Sequence, residues 1–570
     1  MKREKLTILF PYQDSITYKA LSDETLHDLG IDSVCAEVTN NEKERFLISR
    51  VLGNITQDAR VARYRTEVFE DILSHPQMRE KLMKLLDHVK FLNDYGAMHR
   101  QSDEATGLWD LMHRLDEMND YIDTVEAVSD CLNDDTLLSE GLRELRKGLE
   151  TIWQDSGFDG LKKDIAALKA GTDNLKSITV GINLNERFEA VSLGLISVNA
   201  KAFTKSNILR NFGESILHKD QLHEDNEWNG EMNYHPSTRT LDTMVNGMSG
   251  AVTRVAAYQN PLLAATMAGV PENTGGRNLT RTVDSELNNM LSITVRKLRE
   301  VLNRHAAISI REVADLIPEF MYYIRWVEYI EKLTAKGYCF SCPEALEQTD
   351  VPYVMEARGF YNLKLTATEP AERVVRNDLD FDECHRIYLL TGANRGGKTT
   401  VTQAIGQLFL LAQGGIRVPA DKFRYAPVDS IYTHFPADED KTLDLGRLGE
   451  ECKRFRELFI DCTSQSLLLL NETFSTTSFE EGYYIAADAV RALLDKGVRT
   501  IYNTHMHKLA KELDLLNNDS RTAKAFSLTV LTDGGERSFR IAVAPPEGMS
   551  YARDIAMRYG VTYEELTGQC

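Results

Sequence analysis

The chain has 570 residues, of which 42% are hydrophobic and 27% are charged, and its formal net charge is −20. This composition is typical of a globular protein with roughly two to four domains and argues against a disordered chain. The negative charge argues against a generally basic nucleic-acid binder, so any contact with nucleic acid is expected on a local patch or inside a closed channel.

The sequence also bears on compartment and membrane contact. No apolar run reaches the length of a membrane span, and the charged start MKREKLTILF is followed by no apolar signal-peptide core. The cysteines, scattered from Cys35 to Cys570, have no disulfide spacing. We therefore expect a cytoplasmic protein with reduced thiols and no membrane contact.

The first long part of the chain, residues 42–350, is dominated by apolar side chains that recur every three or four positions. This is the period of an amphipathic α-helix, whose apolar stripe packs against neighbouring elements. The stripes are Leu108, Leu111, Met112, Leu115, Met118, Ile122 and Val125, then Leu291, Val295, Leu298 and Val301, and then Val313, Leu316, Phe320, Ile324 and Val327. We interpret them as core-facing stripes of long helices.

Between these stripes, from residue 183 to residue 282, the helical period fades and Asn, Gly and His become frequent. Nine Lys or Arg against ten Asp or Glu leave the stretch close to neutral. Two interpretations stay open from the residues alone: a module at the tip of a helical arm, or an irregular connection.

After Asp350 the pattern changes to short β-rich runs that alternate with helices, which predicts a parallel α/β sheet. The buried run HRIYLL is followed at once by TGANRGGKTT and a helical segment, so Gly392, Gly397, Lys398 and Thr399 have the spacing and context of a phosphate-binding P-loop. Glycines let backbone N–H groups face phosphate oxygens, and the helix N-terminus adds partial positive charge. We expect Lys398 at the surface of the loop, where it reaches the outer phosphates, and the Thr399 hydroxyl as a ligand of Mg²⁺.

Two further buried strands bring polar side chains to the same edge of this sheet. The run LLLL at 467–470 ends in Asn471 and Glu472, and the run VRTIYNTH ends at His505. Ligands of parallel sheets bind at the carboxyl ends of the strands. A carboxylate and an imidazole that converge on a P-loop predict nucleotide hydrolysis, with a general base and a phosphate-sensing group.

Several blocks together resemble one known family. TGANRGGKTT, QLFLLAQGGIRVPA, LLLLNETFSTTSFEEG, NTHMHKLA and GMSYARDIAMRYGV occur in the order and spacing of the ATPase domain of the MutS family. Upstream, FLISRVLGNITQDARVARYRTEVFEDIL resembles the start of that family's helical lever, and the helices before CPEALEQTD resemble its return leg. The resemblance covers most of the chain and is strongest in its last 220 or so residues.

The resemblance implies a fold class: a multidomain protein with a long α-helical lever and an inserted clamp, followed by a P-loop α/β ATPase domain of the ABC/MutS type. The implied domains are an N-terminal segment at 1–41, the first part of the lever at 42–182, a clamp-like insertion at 183–282 that touches the DNA backbone, the returning lever helices at 283–350, and the ATPase domain at 351–570.

The resemblance also implies roles for single residues. Glu472 would position the attacking water, His505 would sense the γ-phosphate, and Thr399 with Asn471 would hold Mg²⁺. Ser478, in the family's signature loop, would reach the nucleotide of the partner subunit, which implies a homodimer with composite sites. Asn394 would shape the loop. The ATP-binding set would be Gly392, Ala393, Asn394, Arg395, Gly396, Gly397, Lys398, Thr399 and Thr400.

The sequence departs from the family pattern at several points. Asn471 stands where the family has Asp, so we expect weaker Mg²⁺ binding and slow turnover. Phe474 puts bulk into a signature loop that has a small residue in the family, and Val374 aligns with an aromatic residue that stacks on adenine. About 40 residues precede the lever, fewer than the family's mismatch-reading and connector domains need, and the chain stops soon after Glu565, which shortens the family's dimerisation end. It shows no nuclease tail.

Cys339 and Cys342 form a CxxC pair in YCFSCP. A tetrahedral metal site needs two more ligands, and no second pair is visible in the sequence. We expect a structural role without metal.

The function that the resemblance implies is ATP-driven opening and closing of a clamp around duplex or branched DNA, in repair or recombination. Because a reader domain is missing from the pattern, we expect recognition of DNA structure rather than of single mismatches. Three alternatives stay open. A chromosome-organising or transporter-type ATPase lacks support because no LSGGQ-like signature is present; the others are a switch acting on RNA or ribosomes, and a nucleotide-binding scaffold that hydrolyses little, which Asn471 favours. Downstream repair partners do not follow from the residues.

Overall fold

The computed structural model separates the chain into two compact units, one formed by Met1–Asp87, Ala127–Gly148 and Asp315–Cys570, the other by His88–Glu126 and Leu149–Ala314. We call them the first and the second unit. The domain boundaries expected from the family pattern stay a prediction. The residues that the structure describes are 6–12, 15–83, 108–133, 136–154, 156–172, 177–184, 186–187, 190–199, 291–305, 316–347, 353–392, 396–436, 446–476, 478–518, 523–533, 536–546, 557 and 559–567.

The elements are numbered in chain order. The helices are α1 (Asp23–Asp28), α2 (Ile31–Val38), α3 (Glu42–Gly53), α4 (Ala59–Ser74), α5 (Leu108–Leu132), α6 (Glu140–Trp153), α7 (Ser156–Thr172), α8 (Ser292–Arg304), α9 (Leu316–Thr334), α10 (Lys398–Gln413), α11 (Gly446–Asp461), α12 (Phe479–Lys496), α13 (His507–Lys511), α14 (Leu513–Asn518) and α15 (Tyr563–Thr567), with 3₁₀ turns at Leu363–Ala367 and Ala371–Arg373. The strands are β1 (Lys19–Ala20), β2 (Asn54–Ile55), β3 (Ser177–Leu184), β4 (Ala190–Asn199), β5 (Glu344–Ala345), β6 (Met355–Phe360), β7 (Asn377–Phe381), β8 (His385–Thr391), β9 (Lys422–Tyr425), β10 (Ile431–His434), β11 (Leu467–Asn471), β12 (Arg499–Asn503), β13 (Lys524–Asp533) and β14 (Glu536–Val543).

The second unit holds most of α5, together with α7, α8 and the antiparallel pair β3–β4. Its helices confirm the predicted apolar stripes, since the buried side chains include Leu111, Leu115, Met118, Ile122 and Val125 on α5 and Val295, Leu298 and Val301 on α8. The expected start of the clamp, residue 183, falls within β3. The remainder of that insertion, 200–282, lies outside the described residues, as does Val313 of the third stripe.

In the first unit, the N-terminal residues pack against α9. The α9 side chains Leu316, Phe320, Ile324 and Val327 are buried as their spacing predicts. The buried Glu319 carboxylate accepts hydrogen bonds from the backbone N–H groups of Ile8 (2.6 Å) and Leu9 (3.0 Å). The Tyr323 hydroxyl donates to the Ile8 carbonyl at 3.0 Å and the Tyr322 hydroxyl to the Gly414 carbonyl at 2.9 Å. Helix α9 thus ties the N-terminal residues to the end of α10.

The main sheet of the first unit has the strand order β10-β11-β12-β8-β13-β14. All neighbours are parallel except β13 and β14, which are antiparallel. Strand β11, with its run of four leucines, is fully buried because helices cover both faces of the sheet. The predicted parallel α/β sheet is therefore confirmed. A smaller sheet of order β5-β9-β6-β7 adjoins it in the same unit.

Helix α10 follows β8 directly and is held from the side by the N-terminal residues. The Gln403 amide donates to the Asp28 carbonyl at 2.7 Å, and the Gln407 amide donates to the Leu29 carbonyl at 2.8 Å. Gly406 allows this approach, because an added Cβ would lie 2.4 Å from the Leu29 Cδ2 atom. None of the described helices is long and apolar enough to cross a membrane.

Candidate nucleotide site

The turn from β8 to α10 has the backbone of a P-loop. Gly392 and Gly397 have φ angles of +139° and +86°, values that L side chains rarely adopt. Gly397 is the N-cap residue of α10, so the first N–H groups of that helix face the space in front of it. Ala393, Asn394 and Arg395 lie outside the described residues, and their predicted roles remain predictions.

The expectation that Lys398 lies at the surface is wrong. Lys398 is only 5% exposed, and its ammonium group donates a hydrogen bond to the Gly392 carbonyl at 3.0 Å. The side chain thus turns back toward Gly392, at the start of the loop. Burial lowers the pKa of Lys398, while the Glu472 carboxylate opposes this shift.

A cavity of about 850 Å³ opens beside the loop. The predicted residues that line it are Gly396, Gly397, Lys398, Thr399, Thr400, Glu472 and His505. The structure therefore brings together the P-loop and the polar ends of β11 and β12, as their positions at one sheet edge predict. The volume is within the range of about 300–1,000 Å³ that is typical of small-molecule sites.

Next to Thr399, which lines the cavity, lie two buried asparagines that do not line it, and the three side chains form a connected group. The Thr399 hydroxyl donates to Asn471 Oδ1 at 3.0 Å. The Asn503 amide Nδ2 also donates to Asn471 Oδ1, and it lies 3.5 Å from Thr399 Oγ1. Asn471 and Asn503 are both buried. Asn471 therefore contacts Thr399, the residue with which it is predicted to hold Mg²⁺, and that role stays a prediction. Asn503 has no role in the sequence-based prediction.

Glu472 and His505 form a second pair at the cavity wall. Their Oε1 and Nε2 atoms are 2.7 Å apart. The Glu472 backbone N–H donates to the Asn503 carbonyl at 2.8 Å, so the residue extends the β11–β12 ladder by one bond. Its φ of +53° lies in the left-handed region, which costs roughly 1–3 kcal/mol for a residue other than glycine. The ladder bond holds the residue in this strained conformation, with its carboxylate at the sheet edge.

The signature loop has its bulky residue in the core. Phe474 is 1% exposed, with its ring 5.3 Å from that of Phe455 and 6.3 Å from that of His434. The large Phe474 side chain, expected to crowd the signature loop, thus packs into the core beneath it. Ser478 is exposed and caps α12, since its hydroxyl accepts from the Glu481 N–H at 3.4 Å. Ser478 does not line the cavity, and its role toward a partner subunit stays a prediction.

The cavity also contains side chains that the sequence did not reveal. Phe539, on β14, is 44% exposed and lies against the loop, where an added Cβ on Gly397 would be 3.2 Å from its ring. Phe360 and Tyr361 line another wall, next to Val374, the residue aligned with the family's adenine-stacking position. These aromatics belong to no motif, and only the pairing of distant strands brings them to the site.

Among the described residues, no group of three or more His, Cys, Asp or Glu side chains is arranged to hold a metal ion. Cys339 and Cys342 are free thiols, and burial raises the pKa of both. The side chains of Thr399, Asn471 and Asn503 offer neutral oxygen atoms instead of thiols or carboxylates, and hard cations such as Mg²⁺ also bind neutral oxygen ligands.

Two family models match the chain. MutS domain V matches residues 388–560, and the MutS2 N-terminal domain matches residues 57–336. The chain is 32% identical over 192 residues to Endonuclease MutS2 of Thermus thermophilus, covering 34% of the chain and 25% of that protein. It is 26% identical over 326 residues to DNA mismatch repair protein MutS of Chlorobium phaeovibrioides, covering 57% and 34%. The chain therefore spans about a third or less of the length of these curated relatives.

Proposed function

The chain belongs to the MutS family, and from this we propose that it binds ATP with Mg²⁺ in the cavity beside the P-loop and hydrolyses it. One observation carries the proposal. The N-terminus of α10 and the ends of β11 and β12 place Lys398, Thr399, Glu472 and His505 around one cavity, with Asn471 buried next to Thr399. Cation, hydroxyl, amide, carboxylate and imidazole at the edge of a parallel sheet are the groups that phosphoryl transfer to water needs.

The phosphate-binding part of the proposal rests on backbone and charge. N–H groups at the start of α10 and the partial positive charge of the helix N-terminus stabilise anionic oxygens. Lys398 already lies beneath the loop, with its ammonium group next to the Gly392 carbonyl at 3.0 Å. Burial disfavours the charged form of Lys398, and a bound phosphate would stabilise it by adding negative charge to that of the nearby Glu472 carboxylate.

Thr399 and Asn471 fit a Mg²⁺ site, although both are neutral and offer less negative charge than a site with a carboxylate. Thr399 Oγ1 and Asn471 Oδ1 would hold the ion and its waters, and the phosphates of the nucleotide would supply the negative charge. When bound, Mg²⁺ would neutralise charge on the transferring phosphate. The buried Oδ1 of Asn503 beside these atoms supports a polar ligand at this position.

For hydrolysis, we propose that Glu472 accepts a hydrogen bond from the attacking water and that His505 contacts the terminal phosphate. The 2.7 Å contact between these side chains supports the pairing, since each orients the other in the absence of substrate. The ladder bond from the Glu472 N–H holds the carboxylate near one position. Such preorganisation lowers the entropic cost of placing a water for attack.

At the level of the whole protein, we propose an ATP-controlled clamp on duplex or branched DNA, acting as a homodimer in which Ser478 reaches the partner's nucleotide. Family membership supports DNA as the substrate. The exposed position of Ser478 at the start of α12 supports contact with a second chain. The near-neutral charge of the insertion at 183–282 supports only a few contacts with DNA phosphates. Contacts with phosphates do not distinguish one base sequence from another.

The test measures binding of the full chain to matched duplex, mismatched duplex, branched DNA and RNA, with and without Mg²⁺–ATP. We expect ATP to change DNA binding, with a shallow dependence of affinity on salt and equal affinity for matched and mismatched duplex. Tighter binding to RNA than to any DNA, or a strong mismatch preference at equal salt, would contradict this assignment. Absence of ATP binding by a folded chain would contradict the whole proposal.

A further inference from the structure

Asn503 is fully buried at the carboxyl end of β12, between β11 and β8. Its side chain lies on the face of the sheet that carries α10, because its Nδ2 atom reaches both Asn471 Oδ1 and Thr399 Oγ1. It is therefore in direct contact with the two residues proposed to hold Mg²⁺. In the run VRTIYNTH, in which it lies, only His505 was predicted to take part in binding.

The contact determines which end of the Asn471 amide faces Thr399. A carboxamide has one acceptor atom and one donor group, and only the oxygen can serve a cation or accept from the Thr399 hydroxyl. With the Asn503 amide as a second donor to the same oxygen, Asn471 presents Oδ1 to Thr399. The Thr399 hydroxyl donates its proton to this bond and accepts a long contact from Asn503 Nδ2, which leaves one lone pair for a ligand.

The other end of the Asn503 amide is unsatisfied. Its Oδ1 atom is buried and has no hydrogen-bond partner within the part of the chain that the structure describes. A buried acceptor left without a partner costs about 1–3 kcal/mol, and such atoms in folded proteins usually mark a water or an ion. A water bound to a cation at Thr399 and Asn471 is a donor that would satisfy it.

We infer that Asn503 is a positioning residue for the nucleotide's divalent cation: its Nδ2 fixes the Asn471 carbonyl toward Thr399, and its Oδ1 accepts from a water of the cation. This inference rests on the proposed function and deepens it. Thr399, Asn471 and Asn503 form a neutral binding group, which we call the amide group. It replaces the charge of a carboxylate with a fixed orientation of dipoles.

The experiment measures equilibrium binding of the non-hydrolysable ATP analogue adenylyl imidodiphosphate to the full chain, in EDTA and across a MgCl₂ titration. For Asn503→Ala we expect unchanged affinity in EDTA and a Mg²⁺ half-saturation raised about 10-fold, as is typical when an outer residue of a metal site is lost. Asn517→Ala is the matched control. It removes two hydrogen bonds to Ala525, at the opposite end of the sheet, and should leave the Mg²⁺ response unchanged.

Two further variants separate positioning from packing. Asn503→Leu keeps the number and branching of the heavy atoms in the side chain and removes both polar ends, so it should shift the Mg²⁺ response as Asn503→Ala does without leaving a cavity. In a background that carries Asn471→Ala, Asn503→Ala should raise the Mg²⁺ half-saturation by a smaller factor than in the wild type, because the carbonyl that Nδ2 positions is gone and only the contact of Oδ1 with the water remains.

Equal weakening in EDTA and in Mg²⁺ would assign Asn503 to packing alone and overturn the inference. So would an unshifted Mg²⁺ half-saturation in the Asn503→Leu variant, or the same fold-change in the Asn471→Ala background as in the wild type. If the wild type binds the analogue but shows no Mg²⁺ response, or does not bind it at all, then the proposed function itself fails, and the two failures are thereby told apart.

Discussion

Replacing Asn471 by Asp tests how the site tolerates a missing carboxylate. Asn471 Oδ1 accepts from the Thr399 hydroxyl at 3.0 Å and from the Asn503 amide, and an aspartate has nearly the same shape and accepts both bonds. The substitution therefore adds one negative charge and removes little else. At an effective dielectric constant of about 20, two unit charges about 4 Å apart attract by roughly 4 kcal/mol, and a carboxylate attracts a dication by about twice as much.

Most of this attraction is offset by dehydration of the new carboxylate and by its repulsion from Glu472 and the phosphates. We expect a net gain of about 1.4 kcal/mol in Mg²⁺ binding, a tenfold lower Mg²⁺ concentration for half-maximal hydrolysis, and a faster turnover. Initial rates of phosphate release across a MgCl₂ titration measure both. Asn518→Asp makes the same charge change at an exposed position and should alter neither. An unchanged or slower Asn471→Asp enzyme would show that Asn471 is not a weakened metal partner.

Three further predictions follow from the same site. Glu472→Gln should keep ATP binding and lower the hydrolysis rate by roughly 10²–10⁴-fold, the usual contribution of a general base, whereas an unchanged rate of phosphate release would remove Glu472 from the mechanism. Mixing Lys398→Met with Ser478→Ala chains should restore part of the ATPase activity if sites are composite; no recovery in proven heterodimers would mean that each site is complete within one chain. Burial and the nearby Arg454 guanidinium lower the pKa of His434 to about 4, from a usual value of 6.5. The unfolded state therefore binds more protons between these values, and unfolding free energy should fall by up to roughly 3 kcal/mol from pH 6.5 to pH 4. A His434→Gln variant should lose this slope in urea titrations; an unchanged slope would assign the acid sensitivity to other groups.

The parts of the site that the sequence predicted are those set by local pattern. The P-loop, the leucine run of β11 and the run that ends at His505 each carry their own signal over about ten residues or fewer. Their convergence followed from one general property, that parallel strands present their carboxyl ends at the same edge. No long-range contact had to be guessed for Lys398, Thr399, Glu472 and His505 to be brought together.

The parts that the sequence did not predict depend on pairs that are distant in the chain. The bond between Asn503 and Asn471 joins positions 32 residues apart, and the bond between Gln403 and Asp28 joins positions 375 apart. The buried Lys398 was missed for a related reason. Its position depends on the path of the loop back to Gly392, which motif spacing does not specify.

The amide of Asn471, where the family has a carboxylate, changes the charge balance of the whole site. With Asn471 in place of a carboxylate, the charged side chains that line the cavity are Arg373, Lys398, Glu369 and Glu472, and His505 is hydrogen-bonded to Glu472. One negative charge fewer means less repulsion of the nucleotide phosphates and less attraction for the metal. ATP binding should therefore depend less on Mg²⁺ here than at a site with the carboxylate, while half-maximal hydrolysis should need a higher Mg²⁺ concentration. The amide group makes this arrangement workable, because a neutral carbonyl holds a cation only when it is held in place, and the buried Asn503 is the residue that holds it.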